Sequence, residues 1–379
     1  PVVLSTKASV LKGFSAEITP NAKPRRALSE VPVNTRHHLQ QPNELTDRVR
    51  RESSELNLSL LRKRRVYRDH EECNNDEAEE ATKRLKFSDS EVEVEVEKPL
   101  WEDLDSNEKK DICMVVEYTN DIFTHLYKRE VQTLPTHNYL TDSKSKYYLR
   151  PSMRAILIDW LVEVHEKFQC YPETLFLTIN LMDRFLSKNK VTLSKLQLLA
   201  VTSLFIAAKF EEVNLPKLSD YAYITDGAAT KNDIKNAEMF MLTSLEFNIG
   251  WPNPMNFLRR ISKADNYDFQ TRSIAKYLLE CIMCFHKFVH LKPSTMAAMA
   301  MFIAKKITST DSSKLIWNET FKHYSGGVSP YDDMEFQSNC KELIKDIASP
   351  TTKLDSLNLK FKKPRNGAIY YKVFQWCQN

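Results

Sequence analysis

A chain of 379 residues with 42% hydrophobic residues but only 6 glycines has material for a sizeable core and little provision for special backbone turns. Phosphate-cradling loops need closely spaced glycines, and Gly326 with Gly327 is the only adjacent pair, so Walker, dinucleotide and kinase glycine loops are excluded. A formal charge of +4 is too small for a chain whose main work is neutralising a nucleic-acid backbone. Seven cysteines, an odd number, and early residues without an apolar signal core fit reduced thiols in a cytosolic or nuclear protein.

Residues 1–100 are rich in Arg, Lys, Glu, Ser and Asn and lack any sustained apolar period, which predicts a disordered tail. Within it, residues 91–97 alternate Glu and Val like a half-buried strand, but no second run lies nearby to pair with, so an acidic solvated linker is expected. From Trp101 the pattern turns helical. The periodicity predicts helices near 110–131, 153–168, 173–187 and 194–210, a short one from Pro216, and one over 232–246 opened by a Thr230/Asp233 capping box. The most apolar run, 198–208, falls short of the ~20 residues that span a bilayer, so no membrane partner is expected.

Trp251-Pro252-Asn253-Pro254 then breaks the chain, with Asn253 suited to cap and Pro254 to open the next helix. Further helices are expected near 268–286, 293–307, 314–324 and 330–347. The second set repeats the first in number and spacing. The expected fold class is all-α: an N-terminal helix and linker at 101–150, two tandem five-helix domains at 151–250 and 251–379, and an irregular basic stretch behind.

Cys281 and Cys284 with His286 and His290 have zinc-ligand chemistry, but on one helix the imidazoles point away from the thiols, so no metal site is expected. No Ser/His/Asp, Cys/His or paired-carboxylate arrangement stands out, and no catalytic residue or cofactor is expected. Glu163, Glu166, Glu211 and Glu212 read as solvated faces. Around Met153 the helical wheel is about two-thirds apolar, more than one core face requires. Either that helix is buried nearly all round, or one stripe is left open for a partner. Arg154, Asp159 and Asp183 sit in apolar surroundings, where a charge needs a counter-charge, and an Arg154–Asp183 pair is expected. Lys209-Phe210-Glu211-Glu212 brings a cation, an aromatic ring and two anions to a helix end.

Residues 153–161, Met-Arg-Ala-Ile-Leu-Ile-Asp-Trp-Leu, resemble the cyclin box, and the likeness runs from about Tyr118 to the end of the chain. The five marker residues of a cyclin box are matched by Arg154, Asp183, Leu198, Lys209 and Glu238. Residues 253–264 and 323–327 look like the second box of fungal B-type cyclins, and within that group the likeness is greatest to the budding-yeast S-phase cyclins.

The resemblance implies a regulatory subunit, not an enzyme, that activates a cyclin-dependent kinase in a one-to-one heterodimer during S phase or G2/M. It assigns kinase contact to Ile206, Lys209, Phe210, Glu211, Glu238, Leu242, Phe247 and Tyr118, although His125 replaces a tyrosine found in some relatives. It assigns a docking groove for Arg-x-Leu substrates and inhibitors to Met153, Ile156, Leu157, Trp160, Glu163, Leu196 and Gln197, which favours the open stripe. In the family, Arg154 and Asp183 correspond to a buried structural pair. Arg25, Leu28, Val31 and Asn34 fit the destruction box read by the anaphase-promoting ubiquitin ligase, and Thr19-Pro20 is a proline-directed dipeptide. Arg62, Lys63, Arg64 and Arg65 with Lys83, Arg84 and Lys86 read as a bipartite import signal, implying a nuclear and also cytoplasmic protein. The rival reading, a cyclin-repeat transcription factor on DNA, calls for an N-terminal zinc ribbon, and the tail holds the single cysteine Cys73. No direct nucleic-acid contact is expected.

Overall fold

The computed structural model describes residues 100–309, 316–350, 354–367 and 369–378, and among these there are thirteen α-helices and no strand. Helix α1 (Thr119–Gln132) precedes a first repeat of α2 (Pro151–Phe168), α3 (Pro172–Lys188), α4 (Leu196–Glu211), α5 (Leu218–Ile224) and α6 (Lys231–Ser244). The second repeat comprises α7 (Pro254–Ser262), α8 (Phe269–Cys284), α9 (Pro293–Thr308), α10 (Glu319–Tyr324) and α11 (Met334–Ala348), and α12 (Asp355–Lys362) and α13 (Ile369–Gln378) follow. Thr19-Pro20, Arg25, Leu28, Val31, Asn34, Arg62 to Arg65, Lys83, Arg84, Lys86 and the 91–97 linker lie outside the described residues.

Local chemistry sets most helix starts. Prolines open α2, α3, α7 and α9, where their fixed φ suits the first turn and the missing amide has no helical partner to lose. At α6 the capping box is reciprocal: Asp233 N–H donates to Thr230 Oγ1 at 3.1 Å and Thr230 N–H donates to Asp233 Oδ2 at 2.9 Å. Asn253 Oδ1 accepts from Met255 N–H at 3.0 Å, starting α7.

Four expectations need correction. Helix α1 begins at Thr119, not near 110, because Val115 is left-handed at φ +48° and only short 3-10 turns precede it. The stretch after α11 is not irregular. Asp159 Oδ1 accepts from Ser356 N–H at 2.7 Å in the first turn of α12, Lys360 Nζ donates to both Glu280 oxygens at 2.9 and 2.8 Å, and Leu357, Phe361 and Val373 join the core. Glu212 is not merely solvated: it accepts from Tyr171 N–H at 2.7 Å and Thr174 Oγ1 at 2.5 Å, serving the open amide end of α3, while Glu166 takes Lys363 at 3.0 Å. Finally, residues 193–211 are long and apolar enough by composition to cross a membrane. Every residue from Leu199 to Ala208 is buried within the repeat, which accounts for that hydropathy.

Helices α3 and α4 form the centre of the first repeat, and α8 with α9 that of the second. Arg154 of α2 joins the two. Its Nε and Nη2 donate to the two Asp183 oxygens at 2.9 and 2.8 Å, while Nη1 and Nη2 reach the carbonyls of Cys284 and Met283 at 2.8 and 3.1 Å. Tyr139 donates its hydroxyl to Asp183 at 2.6 Å. Burial opposes the Arg154 charge, but Asp183 outweighs it, so the guanidinium holds its proton more tightly than usual. The same carboxylate therefore orients a cation that ties the C-terminal carbonyls of α8 to the first repeat.

Candidate functional site

Helix α4 leaves the core after Ala208, and the next two side chains, Lys209 and Phe210, are exposed. Lys209 Nζ lies 2.7 Å from Glu238 Oε1 on α6 and 4.3 Å from the centre of the Phe205 ring. The lysine side chain is 45% exposed and the glutamate 13%, so water screens the cation and the pair contributes about 0–1 kcal/mol to the fold. Phe210 follows the lysine in the chain and Met239 follows the glutamate, Phe240 lies on another face of α6 and Phe247 just beyond its end, and each is more than half exposed. Large apolar side chains left exposed beside a charged pair make this the candidate interaction surface.

The residues assigned to this surface divide by position. Lys209, Phe210 and Phe247 face solvent, while Glu238, Glu211 and Leu242 are half-buried; burial, then Glu173 and Glu212, push the Glu211 carboxyl above its ordinary range. Ile206 is not a surface residue: it is 4% exposed and packs inside the repeat. Tyr118 stands exposed just ahead of α1, and His125 is exposed on that helix. Phe240 and Met239 escaped the sequence reading. Their signal is the unbroken apolar run Met239 to Leu242 after Glu238, longer than the buried face of α6 can absorb. Phe240 packs edge-on to Phe185 at 5.7 Å between ring centres, which fixes its direction.

On the other side of the repeat, Met153 and Trp160 are half-buried, Ile156 is exposed, and Glu163 and Gln197 are half-buried. Leu157 and Leu196, each 1% exposed, belong to the core and not to an open groove. The helical spacing that aligned the stripe could not separate its rim from its buried rows. Of the residues once weighed as zinc ligands, Cys281 and Cys284 are buried, and burial pushes the Cys284 thiol up to about 12. His286 is half-buried and His290 exposed; among the described residues no group of three or more His, Cys, Asp or Glu is arranged to hold a metal.

Comparison with known proteins adds a second line of information. Residues 121–250 match the family described as cyclin, N-terminal domain, and residues 252–374 match cyclin, C-terminal domain. S-phase entry cyclin-5 of Saccharomyces cerevisiae is 58% identical over 392 residues, covering 99% of this chain and 89% of the relative. S-phase entry cyclin-6 of the same organism is 52% identical over 366 residues, covering 96% and 90%. A crystal structure of a viral cyclin from herpesvirus saimiri aligns with a TM-score of 0.51 at 20% identity, over 62% of this chain and 99% of that one, a likeness of fold.

Proposed function

The chain belongs to the cyclin family, and from that premise we propose that it is a regulatory subunit, without catalytic chemistry of its own, that binds a cyclin-dependent kinase one to one and switches it on. What supports this most is the Lys209–Glu238 pair at 2.7 Å, its lysine open to water and followed in the chain by exposed Phe210, as its glutamate is by exposed Met239. A kinase that exchanges between inactive and active arrangements is pulled toward the one this surface binds better. Driving a 1:99 mixture to 99:1 takes about 5.5 kcal/mol of differential affinity. Desolvated aromatic anchors around a central ion pair are the type of contact that supplies energies of this size.

The finer parts of the proposal follow from the same family reading. The names of the two budding-yeast relatives support action at S phase. Met153, Ile156, Trp160, Glu163 and Gln197 form the accessible part of a docking groove for Arg-x-Leu substrates and inhibitors. In the tail, Arg25, Leu28, Val31 and Asn34 direct destruction through the anaphase-promoting ubiquitin ligase, and the basic clusters at 62–65 and 83–86 direct nuclear import.

The test is a charge swap, Lys209→Glu with Glu238→Lys, which preserves the internal pair but inverts the face offered to the kinase. The expected result is at least about a 100-fold loss of affinity for the cyclin-dependent kinase with helical content unchanged. Wild-type affinity in the swapped chain would assign the kinase to another surface.

A further inference from the structure

Helix α6 ends at Ser244, and the chain then turns through Glu246 and Phe247, both left-handed at φ +56° and +55°. Neither is glycine, and one is aromatic; such positions are costly and persist only where neighbouring structure holds them. Backbone bonds close the helix end, with Phe247 N–H donating to the Leu242 carbonyl at 2.9 Å and Glu246 N–H to Thr243 at 3.0 Å. Two arginines from other helices fasten the residues beyond. Arg184 of α3 donates through Nη2 to the Asn248 carbonyl at 2.9 Å. Arg129 of α1 donates through Nη2 to the Asn248 side-chain oxygen and through Nε to the Gly250 carbonyl at 3.2 Å.

The grip is unusual in its charge. Burial, and then the neighbouring Arg129 cation, bring the Arg184 guanidinium down to about 10. Among the described residues neither arginine forms a salt bridge with a carboxylate; they donate to uncharged oxygens of Asn180, Asn248 and Gly250. A Cβ added to Gly250 would lie 3.9 Å from the Phe210 ring and 4.0 Å from Arg129 Nη2, so both side chains flank Gly250. Like charges are thus brought together beside the one turn in this repeat that presents Phe247, 65% exposed.

We propose that Arg129 is a positioning residue for the partner surface: by gripping Asn248 and Gly250 it locks the left-handed turn that presents Phe247, so that α1 sets this aromatic before the kinase arrives. This rests on the kinase-facing reading of Phe247 given above. A rim already ordered in the free chain spares the complex the cost of ordering it on binding. Loss of Arg129 frees the turn, and the cost returns as weaker association.

The experiment is a double-mutant cycle on the full chain, titrated against the purified cyclin-dependent kinase of Saccharomyces cerevisiae, with thermal unfolding recorded for each variant. Phe247→Ala is expected to weaken binding by roughly 30-fold or more and Arg129→Ala by about 10-fold. Arg129→Lys, which keeps the charge but cannot fork between two acceptors, falls between wild type and Arg129→Ala. In the Phe247→Ala background, Arg129→Ala costs less than about 2-fold, because the side chain it positions is gone. Arg129→Gln replaces Arg129→Ala in the cycle should the alanine variant lose helical content. If Phe247→Ala binds like wild type, the kinase-facing reading of this rim fails and the inference with it. If Phe247→Ala is weakened but Arg129→Ala is not, or the Arg129 loss persists in full without Phe247, the surface stands and the positioning role is refuted.

Discussion

Arg154–Asp183 and Lys209–Glu238 both lie in the first repeat, at 2.8 and 2.7 Å, and their surroundings give them opposite uses. The arginine is 1% exposed, forked onto both carboxylate oxygens and bonded further to two carbonyls of α8, while Tyr139 supplies Asp183 with another donor. Taking these charges out of water is costly, and the site is tolerable because nearly every donor and acceptor is met. Removing one partner strands the other. The lysine, in contrast, stays largely in water with one carboxylate contact and an aromatic ring beneath it. Its loss leaves little stranded, so the fold has small need of it, and on the proposed reading its use lies in what it meets outside the chain.

The largest expected effect lies on the buried side. Arg154→Ala should lower the free energy of unfolding by about 3–5 kcal/mol in urea titrations, since Asp183 is left buried and unpaired. A loss under about 1 kcal/mol would erase the distinction between the two pairs. Next comes His165, further along α2. Burial, then the nearby Lys360 charge, bring its imidazole down to about 4, and its Nε2 meets the Tyr171 carbonyl at 2.8 Å. The unfolded chain takes up this proton near pH 6.5 and the folded chain only near 4. This contribution is therefore intact above pH 6.5 and is lost as pH falls toward 4, amounting to about 2 kcal/mol between pH 7 and pH 5. Stability measured across that range should fall, and His165→Gln should flatten that component of the decline; an unchanged slope contradicts the burial account. The smallest effect belongs to the open pair. Lys209→Ala should alter unfolding by no more than about 1 kcal/mol, and a larger loss would make it a folding element like Arg154.

What was legible in the sequence follows the range of the interactions involved. The tandem helical repeats, the Thr230/Asp233 box and the Asn253-Pro254 start could be read because caps and helical periods act within a few residues. Helix α12 could not, since its order depends on Asp159 meeting Ser356 and Glu280 meeting Lys360, 197 and 80 residues apart, and α13 likewise packs Tyr370 against the distant Tyr277 of α8. Glu212 looked solvated because its partners, Tyr171 just ahead of α3 and Thr174 within it, lie about forty residues upstream in the chain. At the candidate site, Lys209 and Glu238 came together only through the cyclin-box resemblance, and Leu157, Leu196 and Ile206, to which it gives surface roles, are buried. Phe240 and Met239 went unnoticed because an apolar run does not say which of its members the neighbouring helices leave uncovered.

Amide hydrogen exchange of the chain, alone and saturated with its cyclin-dependent kinase, tests most directly whether the open pair is the kinase-facing one. New protection is predicted over residues 209–213 and 238–250, with the backbone of 153–160 unchanged. Protection confined to 153–160 or to the second repeat, with 238–250 exchanging as in the free chain, would contradict it.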